Sequence, residues 1–101
     1  MAADDADETD RRDGRGPVAA ARRAVKVMAG LLGREPEAVV SVQPRDDGWE
    51  VGLEVVETHR IPDTSDILAI YEVCLDGNGR LRSYRRTRRY SRGQLDRERP
   101  R

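Results

Sequence analysis

Two turn signals fix most of what this chain can fold into. Arg45-Asp46-Asp47-Gly48 and Asp76-Gly77-Asn78-Gly79 are runs of the Asp-Gly kind, and each stands between two segments of strand character. Before the first, residues 38–44 (AVVSVQP) are short and β-branched and end at Pro44. After it, Trp49, Val51, Leu53 and Val55 alternate with Glu50, Gly52, Glu54 and Val56. A period of two places the apolar set on one face of a half-buried strand, so the two segments read as a hairpin. Before the second signal, residues 67–75 (ILAIYEVCL) put Tyr71, Val73 and Leu75 on one face and Ile70, Glu72 and Cys74 on the other. After it, residues 80–90 (RLRSYRRTRRY) form a fourth strand with arginines at both parities. That pattern suits an edge strand, where like charge discourages pairing with another sheet.

Ahead of the strands, residues 17–32 read as a helix. Pro17 suits the first helical position, Gly33 suits the residue past the end, and Pro36 follows. Val18, Ala21, Val25, Met28 and Leu32 recur at steps of three and four, and Ala24, Val27 and Leu31 widen the stripe. Gly30 weakens the helix slightly and is read as a point of close packing. The connection 58–66 (THRIPDTSD) holds Ile61-Pro62, an extended entry, and then Asp63, Thr64 and Ser65, which cap or turn the chain; a single helical turn fits there. The expected fold class is α+β: one N-terminal helix packed on a three- to four-stranded antiparallel β-meander, in two layers. The expected core is Val18, Val25, Met28, Leu32, Val40, Val42, Trp49, Val51, Leu53, Val55, Tyr71, Val73 and Leu75.

Composition bounds the rest. With 101 residues the chain makes one small domain, expected over residues 17–92. Residues 1–16 are read as a disordered acidic tail, and residues 93–101 as a frayed basic one. So small a core leaves room for a partner or a homodimer to add stability. The 19 bases and 19 acids cancel, but not locally. Residues 1–16 carry six acids and three bases, residues 17–79 eleven acids and six bases, and residues 80–101 two acids and ten bases. No apolar run reaches the roughly 20 residues of a membrane-spanning helix, so no membrane partner is expected. The acidic start lacks the basic and apolar regions of a secretory signal. One cysteine and one histidine leave no internal disulfide and no zinc set, which favours a reduced, cytoplasmic setting with no cofactor and no metal.

Four constellations hold reactive residue types. His59 with Asp63 and Asp66 lacks a known ligand spacing, and the plainer reading is a loop whose side chains cap backbone amides. Glu50, Glu54, Glu57 and Glu72 are placed opposite the tryptophan as paired carboxylates or, more simply, as an arginine-paired face. Cys74 has no nearby base to activate it. The arginine run is the distinctive feature: Arg80, Arg82, Arg85, Arg86, Arg88, Arg89 and Arg92 interleave with Tyr84 and Tyr90. Of these, Arg82, Tyr84, Arg85, Arg86, Arg88, Arg89 and Tyr90 are the candidate partner-binding set. An acidic protein partner fits them, and so does nucleic acid, where guanidiniums meet phosphates and tyrosines stack on bases.

The string GWEVGLEVVETHRIPDTSDILAIYEVCLDGNG carries a more specific signal. Gly48-Trp49, the Val-Glu ending of that strand, Arg60-Ile61-Pro62-Asp63-Thr64 and Tyr71-Glu72-Val73, followed by Arg88-Arg89-Tyr90, resemble the gas vesicle protein GvpO family across about residues 17–92. The resemblance implies a cytoplasmic accessory protein of gas vesicle formation, acting through other gas vesicle proteins, shell or accessory, with no enzymatic activity and no cofactor. It leaves a second role open, as a nucleic-acid-binding regulator of vesicle gene expression. It assigns no catalytic residues, and no chemical role to the Arg-Ile-Pro-Asp-Thr loop.

Overall fold

The structure is a computed structural model that describes residues 16–93. The two expected tails therefore lie outside the described residues, save for Gly16 and Gly93. Helix α1 (Pro17–Leu32) begins where the sequence predicts, with Pro17 at a position that needs no N–H donor. Gly33 ends it in the left-handed region (φ 72°), its N–H donating to the Ala29 carbonyl at 3.0 Å. Four strands follow: β1 (Ala38–Arg45), β2 (Gly48–Thr58), β3 (Ile67–Leu75) and β4 (Leu81–Ser91). They form one antiparallel sheet in the order β1-β2-β3-β4. The connection between β2 and β3 contains a single 3-10 turn, Asp63–Ser65. This is the expected α+β meander, with all four strands present and the helix on one face.

The main core lies between α1 and the sheet. Ala20, Ala24 and Met28, four residues apart, present one narrow stripe to Val51 and Leu53 of β2 and to Val73 and Leu75 of β3. Val25 and Leu32 pack at the flank of that stripe, and Val18 is half-buried. The expected stripe is thus rotated, because Ala20 and Ala24 let the helix backbone lie close to the sheet and the larger side chains fill the sides. Gly30 does not serve close packing: it is exposed, and a Cβ there would meet nothing within 4 Å.

Val40 departs from the expected core for a clear reason. The register of β1 on β2 shifts between Val39, opposite Leu53, and Ser41, opposite Gly52. The bulge leaves Val40 unpaired and turns its side chain over Gly52, 50% exposed. The first turn also sits one residue earlier than the Asp-Gly pattern suggests. Asp46 takes the positive φ (54°), and Gly48 already opens β2. Glycine is required at that point because a Cβ would stand 1.9 Å from the Leu75 carbonyl oxygen. On the face away from α1, Val56, Leu68 and Tyr90 form a second apolar cluster, with Ile70 beside it.

Candidate functional site

Helix α1 rests on β1, β2 and β3. Strand β4 is the sheet's outer edge, and every residue from 82 to 89 is exposed. This is the arginine run. Antiparallel pairing sets it beside β3, whose neighbour β2 carries the carboxylates, so the run lies against acids on both faces of the sheet.

On the face away from the helix, Arg85 lies opposite Glu72 and donates to its carboxylate from Nε and Nη2 at 3.1 and 3.0 Å. That bond holds the Glu72 carboxyl below its usual range, against the effect of partial burial. Arg45 of β1 pairs with Glu50 of β2 at 2.6 Å on the same face. The Tyr90 hydroxyl donates to Glu54 across β3, and the Arg88 guanidinium stands 4.8 Å from the Tyr90 ring centroid.

On the helix side, Glu57 collects three donors. The Tyr71 hydroxyl reaches it at 3.0 Å, Arg86 Nη1 at 3.1 Å and Arg89 Nε at 3.0 Å. Burial works against its ionisation, but the hydrogen bonds from Tyr71 and Arg86 and the charges of Arg86 and Arg89 outweigh it, and the carboxyl is held below its usual range. Contrary to expectation, Glu57 therefore does not share a face with Glu50, Glu54 and Glu72. Its odd position continues the alternation of Trp49, Val51, Leu53 and Val55, and it stands on the tryptophan's side of the sheet. Of these four carboxylates, Glu50, Glu57 and Glu72 pair with arginines and Glu54 accepts from Tyr90, so together they form a charge-paired sheet.

The candidate partner-binding residues divide accordingly. Arg82, Tyr84, Arg85, Arg86, Arg88 and Arg89 are exposed, and Tyr84 packs its ring 6.4 Å from that of Tyr71. Tyr90 is not available as a surface group. Its pairing with Leu68 lays the ring on the second apolar cluster, 7% exposed, and burial with the Glu54 bond pushes its pKa up to about 12.

The motif residues fall at two places. Gly48, Trp49, Tyr71 and Glu72 belong to the sheet. Arg60, Ile61, Pro62, Asp63 and Thr64 form an exposed loop at the other end, around one buried carboxylate, Asp66. Asp66 Oδ1 accepts the Arg60 backbone N–H at 2.7 Å, and its Oδ2 lies 3.4 Å from Arg92 Nη2 and 3.5 Å from His59 Nδ1. Arg92 also reaches Glu37 at 3.5 Å, which ties the loop to the start of β1. The Arg60 amide bond holds the Asp66 carboxyl below its usual range against burial, with Arg92 and His59 adding to it. Asp66 thus acts as the amide cap that the plainer reading of this loop expects; its pairing with Arg92 carries no local sequence signal. Cys74 stands opposite Ser83 in the register, at the end of the sheet away from His59. Among the described residues, no group of three or more His, Cys, Asp or Glu is placed to hold a metal ion. No helix among them is long and apolar enough to cross a membrane.

Comparison with known proteins covers both places. The family model for the gas vesicle synthesis protein GvpO matches residues 3–96. The chain is 48% identical over 81 residues to gas vesicle protein O of Streptomyces sp. (strain CB03234), covering 80% of this chain and 63% of that protein. It is 38% identical over 76 residues to gas vesicle protein O1 of Halobacterium salinarum, covering 75% and 64%. It is 36% identical over 77 residues to gas vesicle protein O of Haloferax mediterranei, covering 75% and 55%. The chain thus spans less than two thirds of the length of these curated relatives. No solved structure matches it. Since the family match takes in the helix, all four strands and the pinned loop, the chain belongs to the gas vesicle synthesis protein GvpO family.

Proposed function

We propose that the chain serves gas vesicle formation as a non-catalytic interaction module of the cytoplasm, and that the exposed arginine edge β4 is a surface on which another gas vesicle protein docks. The observation that supports this is the unbroken exposure of residues 82–89 along an edge strand that α1 leaves open. An edge strand offers unpaired backbone groups to an added strand, and its arginines select an acidic one. Arg85 and Arg88 are the residues to test, since both lie on the face away from the helix and outside the Glu57 cluster. Pull-down with co-expressed gas vesicle proteins should capture a partner, and Arg85→Ala with Arg88→Ala should lose it with only a modest fall in melting temperature, since both arginines are exposed and the contacts they give up are surface ones. Unchanged capture by that variant removes β4 as the interface.

The second role, nucleic-acid binding, has the same arginines to draw on. The pairing of Arg82, Arg85, Arg86 and Arg89 with Asp47, Glu72 and Glu57 weakens this reading more than the first, because phosphate binding draws on charge alone, whereas an added strand also draws on the backbone groups of the sheet edge. A gel shift at low salt that fades steeply as salt rises would reverse this order of preference.

A further inference from the structure

Helix α1 covers only part of the sheet face on which it packs. We infer that the open part of that face, between α1 and β4, receives an amphipathic helix of another gas vesicle protein, apolar on the surface it lays down and acidic along its border. The inference rests on the protein-contact reading above and deepens it, since it names the kind of segment that docks and seats it on the helix side of β4.

Three elements build the groove. Arg23 Nε donates to the Gly79 carbonyl at 3.1 Å, so that flank of α1 looks toward the β3–β4 turn. Val27 and Leu31 follow at steps of four on the same flank, Val27 half-buried and Leu31 51% exposed. The floor is Tyr71 of β3. The far wall is β4, where Tyr84, opposite Val73, and Arg86, opposite Tyr71, stand on the helix side. Tyr84 is 45% exposed, its ring 6.4 Å from that of Tyr71. The walls run alongside each other: at the end of α1, Leu32 and Arg34 share one cleft with Val55, Glu57, Tyr71 and Arg89.

The width suits a helix. Adjacent strands lie about 4.8 Å apart and packed helices about 8–10 Å, so a helix laid beside α1 sits about two strands along, over β4. Charge selects which helix. Arg34 donates to the Glu57 carbonyl at 3.0 Å, and Arg86 and Arg89 hold the Glu57 carboxylate at 3.1 and 3.0 Å. Three guanidiniums thus surround one carboxylate, and Arg23 adds another at the opposite end. The nearest other acids are engaged elsewhere. Asp76 accepts the Asn78 and Arg80 amides, Glu37 pairs with Arg92, and Glu35 lines the opposite flank of α1. Acids on the incoming helix answer this rim, and apolar side chains answer the leucines and tyrosines between. Two occupants from the chain itself fit less well. The α1 of a second copy holds Arg22, Arg23 and Lys26 and no acid, while residues 1–15 hold acids but, after Met1, no apolar side chain larger than alanine.

The test places a photoreactive benzophenone side chain at position 31 of the full chain, and at position 85, on the other face of the sheet, in a parallel strain, in cells that form gas vesicles. One discrete adduct from position 31 is expected, which peptide mass spectrometry maps to a gas vesicle protein, in a segment with apolar residues at steps of three and four and acids beside them. Against that protein in purified form, Leu31→Glu should bind about tenfold or more weaker, and Leu31→Arg should lose less. Both give up the apolar contact, but only the glutamate meets the acidic border with like charge. Unchanged binding, or equal loss in the two variants, overturns the inference. An adduct from 31 to residues 1–15, to a second copy or to a segment without that pattern overturns it too. An adduct from 85 without one from 31 overturns the groove and leaves the β4 reading standing. An adduct from 31 to an acidic amphipathic helix outside the vesicle machinery keeps the groove and overturns the functional reading. No adduct from either position overturns both.

Discussion

The carboxylate of Asp66 accepts the backbone N–H of Arg60 from inside the fold, so a charge that water does not reach sets the path of a loop that lies wholly in water. Removing that acceptor has a graded outcome. Asp66→Asn keeps an oxygen for the Arg60 amide but loses the charge facing Arg92 and His59, and Asp66→Ala loses both. Melting temperatures should fall in the order wild type, Asn, Ala. Trypsin should cut after Arg60 faster in the same order, read by mass spectrometry of the early fragments.

Acid should destabilise the chain through the same group. The Asp66 carboxyl titrates below its ordinary value of 3.8 in the fold, chiefly because of the Arg60 amide. A depressed carboxylate contributes stability that is complete above the unfolded value and is lost as pH falls through the folded one. Glu72, held down by Arg85 from 4.5, and Asp76, held down by the Arg80 amide from 3.8, act in the same direction. Thermal melts taken from pH 6 downward should therefore stay level to about pH 4.5 and then drop, more shallowly in Asp66→Asn. An equally steep drop in that variant would show that Asp66 carries none of the acid response.

At the alkaline end the sign reverses. Burial and the Glu54 bond push Tyr90 up to about 12 from 10.0, and burial with Glu57 raises Tyr71 as well. A raised phenol contributes stability that is complete below the unfolded value and is lost as pH rises through the folded one. Phenolate absorbance should show part of the tyrosine signal titrating late, near 12, and Tyr90→Phe should delete that step.

Two glycines should answer alanine with opposite signs. Gly30 lies exposed in α1 with nothing within 4 Å of a new Cβ, and Gly30→Ala should stabilise the chain. The gain is about 0.5–1 kcal/mol, the usual backbone-entropy difference between the two residues in a helix. At Gly48 the added carbon would collide with the Leu75 carbonyl at 1.9 Å, where only backbone movement relieves it. Gly48→Ala should cost about 3 kcal/mol or more. Denaturant unfolding of the two variants beside wild type measures both.

Much of the fold was legible because its signals are local. Pro17 and Gly33 mark the helix, the alternation from Trp49 to Val55 sets one face of β2, and the Asp76–Gly79 turn joins β3 to β4. The errors have different origins. Glu57 was within reach of the sequence, since strict alternation from Trp49 puts it on the tryptophan's side, where it meets Tyr71, Arg86 and Arg89. The bulge at Val40 is set by how β1 and β2 pair, and the pattern of β1 alone does not contain it; it moves the side chain to the other face and out of the core. Tyr90 was misplaced for a related reason. Its arginine neighbours suggest an exposed stretch, while its register partner Leu68, twenty-two positions earlier, draws it inward. Arg92 is farther still from Asp66 in sequence, and no short-range pattern connects them.

The two borders of the sheet resist self-association by different means. Along β1 the bulge at Val40 and the missing amide hydrogen of Pro44 interrupt the row of groups that a neighbouring copy would need. Along β4 the obstacle is like charge, since two such strands laid together would bring arginine against arginine. Growth of one sheet into the next is thus blocked at both ends, by covalent shape on one side and by repulsion on the other. Only the second block yields to a change of partner: an acidic strand removes it, and a second copy of the chain does not.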